Sequence, residues 1–151
     1  MSLVTGPLLP LIALAWPLLL GLAAAWPAWR ARSLWVLPVA PLPALLLALA
    51  GTDGRTVVPQ LLLGTVLMLD PAGRLLLGVV ALIWSAAGVY ALAYFRVPRK
   101  PAVFAGFWCL TLSGNLGVML AADVATFYVA FAAVSLAAYW LVAHDATRRA
   151  L

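Results

Sequence analysis

Glutamate does not occur in this chain of 151 residues, and its four acids are all aspartates: Asp53, Asp70, Asp123 and Asp145. Each falls between apolar blocks or at the edge of one, so no block carries a carboxylate near its centre. Lysine occurs once, as Lys100 in a connecting stretch, and histidine once, as His144. A lone histidine with no nearby cysteine or glutamate does not assemble the donors of a metal site. The single cysteine, Cys109, has no partner for an intrachain disulfide and reads as a small buried hydrophobe inside an apolar block. Glycine-rich phosphate loops, nucleophile elbows and haem-attachment motifs are missing, as are internal repeats and low-complexity linkers. No cofactor is expected. The N-terminus has neither a basic segment nor a small-residue cleavage site after its first apolar block, which argues against a cleaved signal peptide.

The chain is 67% hydrophobic and 9% charged. A soluble domain of this size has too much surface for its volume to hide so much apolar material. The apolar residues come in blocks of about 20, the length an α-helix needs to cross hydrocarbon, where backbone groups must be satisfied internally. The expected class is therefore an all-α integral membrane protein, a single membrane domain over 1–151. Its five helices are expected at roughly 8–26, 33–50, 75–95, 103–121 and 124–143. Pro38, Pro41 and Pro43 predict a kink in the second. Asp70-Pro71 is a helix-start signal for the third, and Asp123 is placed to cap the fifth. The one long connection, 51–74, contains an apolar run broken at Gly64-Thr65. Two short strands around that turn are expected, with a re-entrant or surface-lying segment as the alternative. Trp16, Trp84, Trp108 and Trp140 lie within or near block ends and are expected to serve as interfacial anchors.

The net charge of +5 does not point to nucleic acid, because the basic residues sit in short connections between apolar blocks. Arg30, Arg32, Arg96, Arg99, Lys100, Arg148 and Arg149 fall on one side if the five helices alternate. The other side has only Arg55 and Arg74, balanced by Asp53 and Asp70. Positive loops stay inside, so the N-terminus is expected outside (periplasmic in a bacterium) and the C-terminus inside, in a multi-pass protein of the cell inner membrane.

A proton path through hydrocarbon needs ionisable groups at depth, and no helix centre here carries one. The chain alone is therefore expected to be a poor proton conductor. Uncharged polar residues do remain: Thr111, Ser113 and Asn115 in the fourth block, and Thr126, Ser135 and Tyr139 in the fifth. They suit either a hydrated path or quinone contact, or ordinary interhelix hydrogen bonds. Gly106, Gly114 and Gly117 suit close helix packing. His144, beside Asp145 at the inner end of the fifth block, suits either a proton relay or a C-terminal helix cap.

The fifth block, FYVAFAAVSLAAYWLV, carries a pattern of its own. Together with Leu69-Asp70-Pro71, Tyr90 and Tyr94 in the third block, and Leu120, Ala121 and Asp123 at the fourth-to-fifth turn, it resembles a known family. That family is the antiporter-like membrane subunits of complex I, Mrp cation/proton antiporters and membrane-bound hydrogenases. The resemblance covers the whole chain but only the first third of the family. It implies an outside N-terminus and a periplasmic hairpin between helices two and three. In the family's fifth helix an aromatic residue is followed by Trp-Glu, then Ser-Leu and a Tyr. Phe131 stands here at the Trp position and Ala132 at the Glu position, while Ser135, Leu136 and Tyr139 fall in place. The family's proton-site role therefore cannot be carried over to Ala132. Leu151 falls where the family would enter its sixth helix, so the resemblance gives no counterpart among these residues to the family's broken seventh helix with its buried lysine.

The resemblance implies an accessory, split or degenerate antiporter-like subunit of a redox-driven or ion-translocating complex. Such a subunit would be structural or proton-path-supporting and not catalytic alone. Its expected partners are lipid and larger membrane subunits, one of them carrying the remaining family helices. Two other readings are a small homo-oligomeric transporter or channel and a membrane anchor for a soluble redox enzyme.

Overall fold

A computed structural model describes residues 5–59, 61, 64–94 and 101–143. His144, Asp145, Arg96, Arg99, Lys100, Arg148 and Arg149 lie outside them. Among the described residues five helical segments are long and apolar enough to cross a bilayer, the architecture of an all-α membrane protein. They are α1 (Thr5–Ala25), a composite second segment, α4 (Pro71–Tyr94), α5 (Pro101–Leu120) and α6 (Val124–Ala143).

The second segment is broken by its prolines. A 3-10 stretch, Pro27–Trp35, leads into the single turn α2 (Val36–Val39), and α3 (Leu42–Ala50) follows. Pro41 has no N–H to give to the Leu37 carbonyl, so the ladder cannot continue through it. The bonds instead stop with Ala40 N donating to Val36 O (2.8 Å) and resume with Leu45 N donating to Pro41 O (3.0 Å). Gly88 of α4 packs against this opened backbone: a Cβ there would lie 2.7 Å from Pro38 N and 2.9 Å from Leu37 O.

The central helix is α5. Buried residues make up 56% of its span, against 11% for α6. One face of α5 meets α1 where Gly21 approaches Gly106 and Cys109; another meets α6 where Gly114 and Gly117 admit Ala130 and Val134. Larger side chains would hold these helices apart. Leu112, Leu116 and Leu120 of α5 join Leu37, Ala44, Leu77 and Ala81 in one apolar core.

Ser113 of α5 donates a hydrogen bond to the Leu14 carbonyl of α1 (2.8 Å). The acceptor lies beside the Ala13 carbonyl, which Pro17, lacking an N–H, cannot pair. Ser113→Ala should lower stability by about 0.6 kcal/mol, the usual worth of such a bond in a membrane. Reversible unfolding in detergent measures this, and an unchanged midpoint would show that the bond contributes nothing.

The connection between α3 and α4 is a hairpin of β1 (Gly54–Val58) and β2 (Thr65–Leu69), paired antiparallel from Gly54↔Leu69 to Val58↔Thr65. The strands do not flank Gly64-Thr65 directly. β1 ends before Pro59, which cannot donate to a ladder. Gly64 takes φ +99° as the chain enters β2, a region open to glycine at little cost.

Three of the tryptophans expected as anchors are not at helix ends: Trp16 lies midway along α1, and Trp84 and Trp108 lie within α4 and α5. Trp84 and Trp108 meet edge to face inside the helix assembly with centroids 4.8 Å apart, and Phe104 lies 5.7 Å from Trp108. Seven residues separate Trp108 from the start of α5, about 10 Å of helix rise. Its Nε1 is buried and has no hydrogen-bond partner among the described residues. Trp26, just before the 3-10 stretch, and Trp35, its last residue, are the most exposed of the described tryptophans.

Candidate functional site

The fifth-helix pattern lies on the outward side of the molecule. Tyr128, Phe131, Ala132, Ser135, Leu136 and Tyr139 are all exposed, whereas Thr126 and Ala137 are the buried residues of α6. Spacings of three and four put them on one stripe of the helix, and the contact with α5 occupies a different side, through Ala130 and Val134. Ala132 therefore faces away from the rest of this chain. Ser135 donates to the Phe131 carbonyl of its own helix (3.0 Å), and Tyr139 stands edge-on to Trp140 at 5.6 Å.

Asn115 does not join that stripe. It is half-buried on α5, and its amide has no hydrogen-bond partner among the described residues. Thr111 bonds back to Phe107 O (2.7 Å) on its own helix. Among the described residues, Ser113 is the one uncharged polar residue named from sequence in α5 and α6 that bonds across to another membrane helix. The structure thus gathers Ala132, Ser135 and Tyr139 on one exposed face and leaves Asn115 apart. Charged residues in the described spans are confined to Arg32 and Arg74, each within the first turn of its span.

The polar chemistry collects at the hairpin end. Asp70 caps α4: its Oδ1 accepts from Gly73 N at 2.6 Å, and Pro71 occupies the first helical position, where a missing N–H has no cost. Asp123 does two jobs. Its Oδ1 accepts from Thr126 N (2.8 Å), capping α6, and its Oδ2 accepts from Thr126 Oγ1 (2.5 Å) and from Val66 N of β2 (3.0 Å). Ala122 N donates to Val66 O (2.9 Å), so the α5–α6 turn engages both backbone polar groups of Val66 on the edge of β2 away from β1. The Thr126 hydroxyl, then its N–H and the Val66 N–H, hold the Asp123 carboxyl below the usual carboxylate range. Arg74 ties the end of α3 to the start of α4, its Nη1 donating to Gly51 O (3.0 Å) and reaching Asp53 Oδ1 (3.4 Å). From sequence Asp123 is expected as a helix cap at the fourth-to-fifth turn, without the tie to β2. The partner on β2 is 57 residues away in sequence and is a backbone N–H, which no residue pattern marks.

Among the described residues no cluster of three His, Cys, Asp or Glu side chains could hold a metal. The chain matches no protein-family model, and no curated protein matches it. The arrangement is a packed helical assembly with a hairpin tied to the α5–α6 turn and one helix, α6, largely exposed.

Proposed function

We propose that the chain is an accessory, split or degenerate antiporter-like membrane subunit of a redox-driven or ion-translocating complex. The observation that carries this reading is the outward stripe of α6. Phe131, Ala132, Ser135, Leu136 and Tyr139 face away from the chain's own helices, and the position where the family has its glutamate is a methyl group. In this reading the stripe packs against antiporter-like helices beyond these 151 residues, which would also supply the acid and lysine of any proton path. The hairpin between the second and third spans and the cap at Asp70-Pro71 fit the same family.

In this reading the N-terminus and hairpin face the periplasm and the C-terminus faces the cytoplasm of a bacterial inner membrane. Seven of the nine basic residues fall in the segments that would be cytoplasmic. The protein packs against larger subunits and does no chemistry by itself.

Gentle extraction of the native membrane, followed by mass spectrometry of what comigrates, tests this directly. A stoichiometric partner carrying the later family helices is expected. A homo-oligomer free of other chains would replace this reading with that of a small transporter or channel. Ala132→Glu alone should give no pH-driven proton uptake in liposomes, because one carboxylate without relay partners makes no path. Measurable flux from that variant would overturn the requirement for partner groups.

A further inference from the structure

Between α3 and α4 a groove of about 330 Å³ opens on the outside of the molecule. Its walls are Leu45, Leu49, Leu75 and Leu82, with Gly78 among the lining residues and Arg74 as the one charged residue. At Gly78 the two helices nearly touch, since a Cβ there would lie 3.3 Å from Ala48 Cβ. We propose that this groove seats one acyl chain of an anionic phospholipid and that Arg74 binds the lipid phosphate.

Length supports the acyl chain. From Pro71 to Leu82 the groove follows eleven residues of α4, about 16 Å of rise. That is close to half of a hydrocarbon core about 30 Å thick, the depth of one leaflet. Lining and exposure agree: Leu49 and Leu75 are among the most exposed apolar side chains, so the groove is open along its length to the place where lipid would lie.

Charge supports the phosphate. Arg74 is in the first turn of α4, at the level where a long cationic side chain reaches headgroups. Its Nη1 makes both contacts to protein, to Gly51 O and to Asp53. Nε and Nη2 have no partner among the described residues, and guanidinium donors set in a fork match a phosphate. The competing anion, Asp53, is half-exposed and 3.4 Å away, and it engages only the nitrogen already bound to Gly51. Asp70, the other nearby acid, is occupied in capping α4. A zwitterionic lipid would place its own cation beside Arg74, which favours an anionic headgroup. The proposal does not rest on the subunit reading.

The test is native mass spectrometry of the delipidated full chain with phosphatidylglycerol or phosphatidylcholine of identical acyl composition. The wild type should retain phosphatidylglycerol about tenfold more strongly, the worth of one charge-assisted pair. Arg74→Gln should remove that preference, lowering phosphatidylglycerol retention to the level of phosphatidylcholine. Arg74→Lys, which keeps the charge but loses the fork, should keep part of it. Gly78→Leu should fill the groove and weaken both lipids. Soluble glycerol phosphate should not compete. Equal retention of the two lipids by the wild type, or a preference that survives Arg74→Gln, would place headgroup recognition elsewhere and overturn the proposal. Competition by glycerol phosphate would overturn the acyl-chain seat. The wild-type comparison decides even where the loss of the Gly51 contact destabilises a variant.

Discussion

Gly88→Leu should separate α4 from the broken second segment and lower stability by about 3 kcal/mol or more, beyond ordinary overpacking. The Cβ alone already lies within 3.0 Å of three backbone atoms: Pro38 N, Leu37 C and Leu37 O. Backbone atoms cannot rotate away as a side-chain tip can, so the helices themselves must move. Gly88→Ala isolates the effect. Alanine in place of glycine gains about 1 kcal/mol of helix propensity, yet the clash costs about 1–3 kcal/mol, and so many close backbone contacts put it at the upper end. Gly88→Ala is therefore expected to destabilise. Gly78→Ala is the control on the same helix. Its nearest contact is 3.3 Å to the Ala48 methyl, which can give by a few tenths of an ångström, so the propensity gain should leave it neutral or more stable. Thermal unfolding in one detergent compares the three. Equal melting of Gly88→Ala and wild type would mean that α4 does not approach the Leu37–Pro38 backbone this closely.

The contrast between those two glycines shows what the sequence could and could not tell. Both sit in an apolar block with nothing around them to mark one as a crossing point. What decides is the partner's backbone path, and that path is set by Pro41 some fifty residues earlier. The helical spans were legible because apolar run length is a direct consequence of bilayer thickness. The break in the second span was legible for a similar reason, since proline cannot donate wherever it stands. Asp70 was legible as a cap because its acceptor role is local, three residues from Gly73. Trp84 and Trp108 were misplaced because tryptophan is common at interfaces, and a preference cannot reveal that two rings on different helices meet at 4.8 Å. On α6, spacing put Phe131, Ala132, Ser135 and Tyr139 on one stripe, but only the packing of Gly114 and Gly117 against Ala130 and Val134 fixed which way that stripe turns.

Asp123→Ala should release the hairpin from the α5–α6 turn. The substitution removes the acceptor for Thr126 N, which caps α6, and for Val66 N, which fixes β2. One contact persists on the Val66 amide, to Thr126 Oγ1 at 3.3 Å, but that hydroxyl is itself positioned by Asp123 Oδ2. Losing the carboxylate therefore weakens both acceptors at once, and the Ala122 N to Val66 O bond is left as the main tie. Hydrogen exchange at Val66 should rise toward the rate of an exposed amide, while the α5 core keeps its protection. Asp123→Asn retains one acceptor oxygen and remains a good N-cap residue, so it should preserve the α6 cap but weaken the tether, because one of the two sites becomes a donor facing the Val66 donor. The pH dependence has a definite sign. A carboxyl whose folded pKa lies below its ordinary 3.8 contributes stability in full above about pH 4 and loses it as pH falls through the folded value. Wild-type Val66 protection should therefore hold at neutral pH and decline in acid, and Asp123→Asn should show a lower level without that acid step. Val66 protection independent of pH and unchanged in Asp123→Ala would mean that the backbone bond alone holds the hairpin. Exchange that rises throughout α5 as well would mean that the turn supports the whole helical assembly and not the hairpin alone.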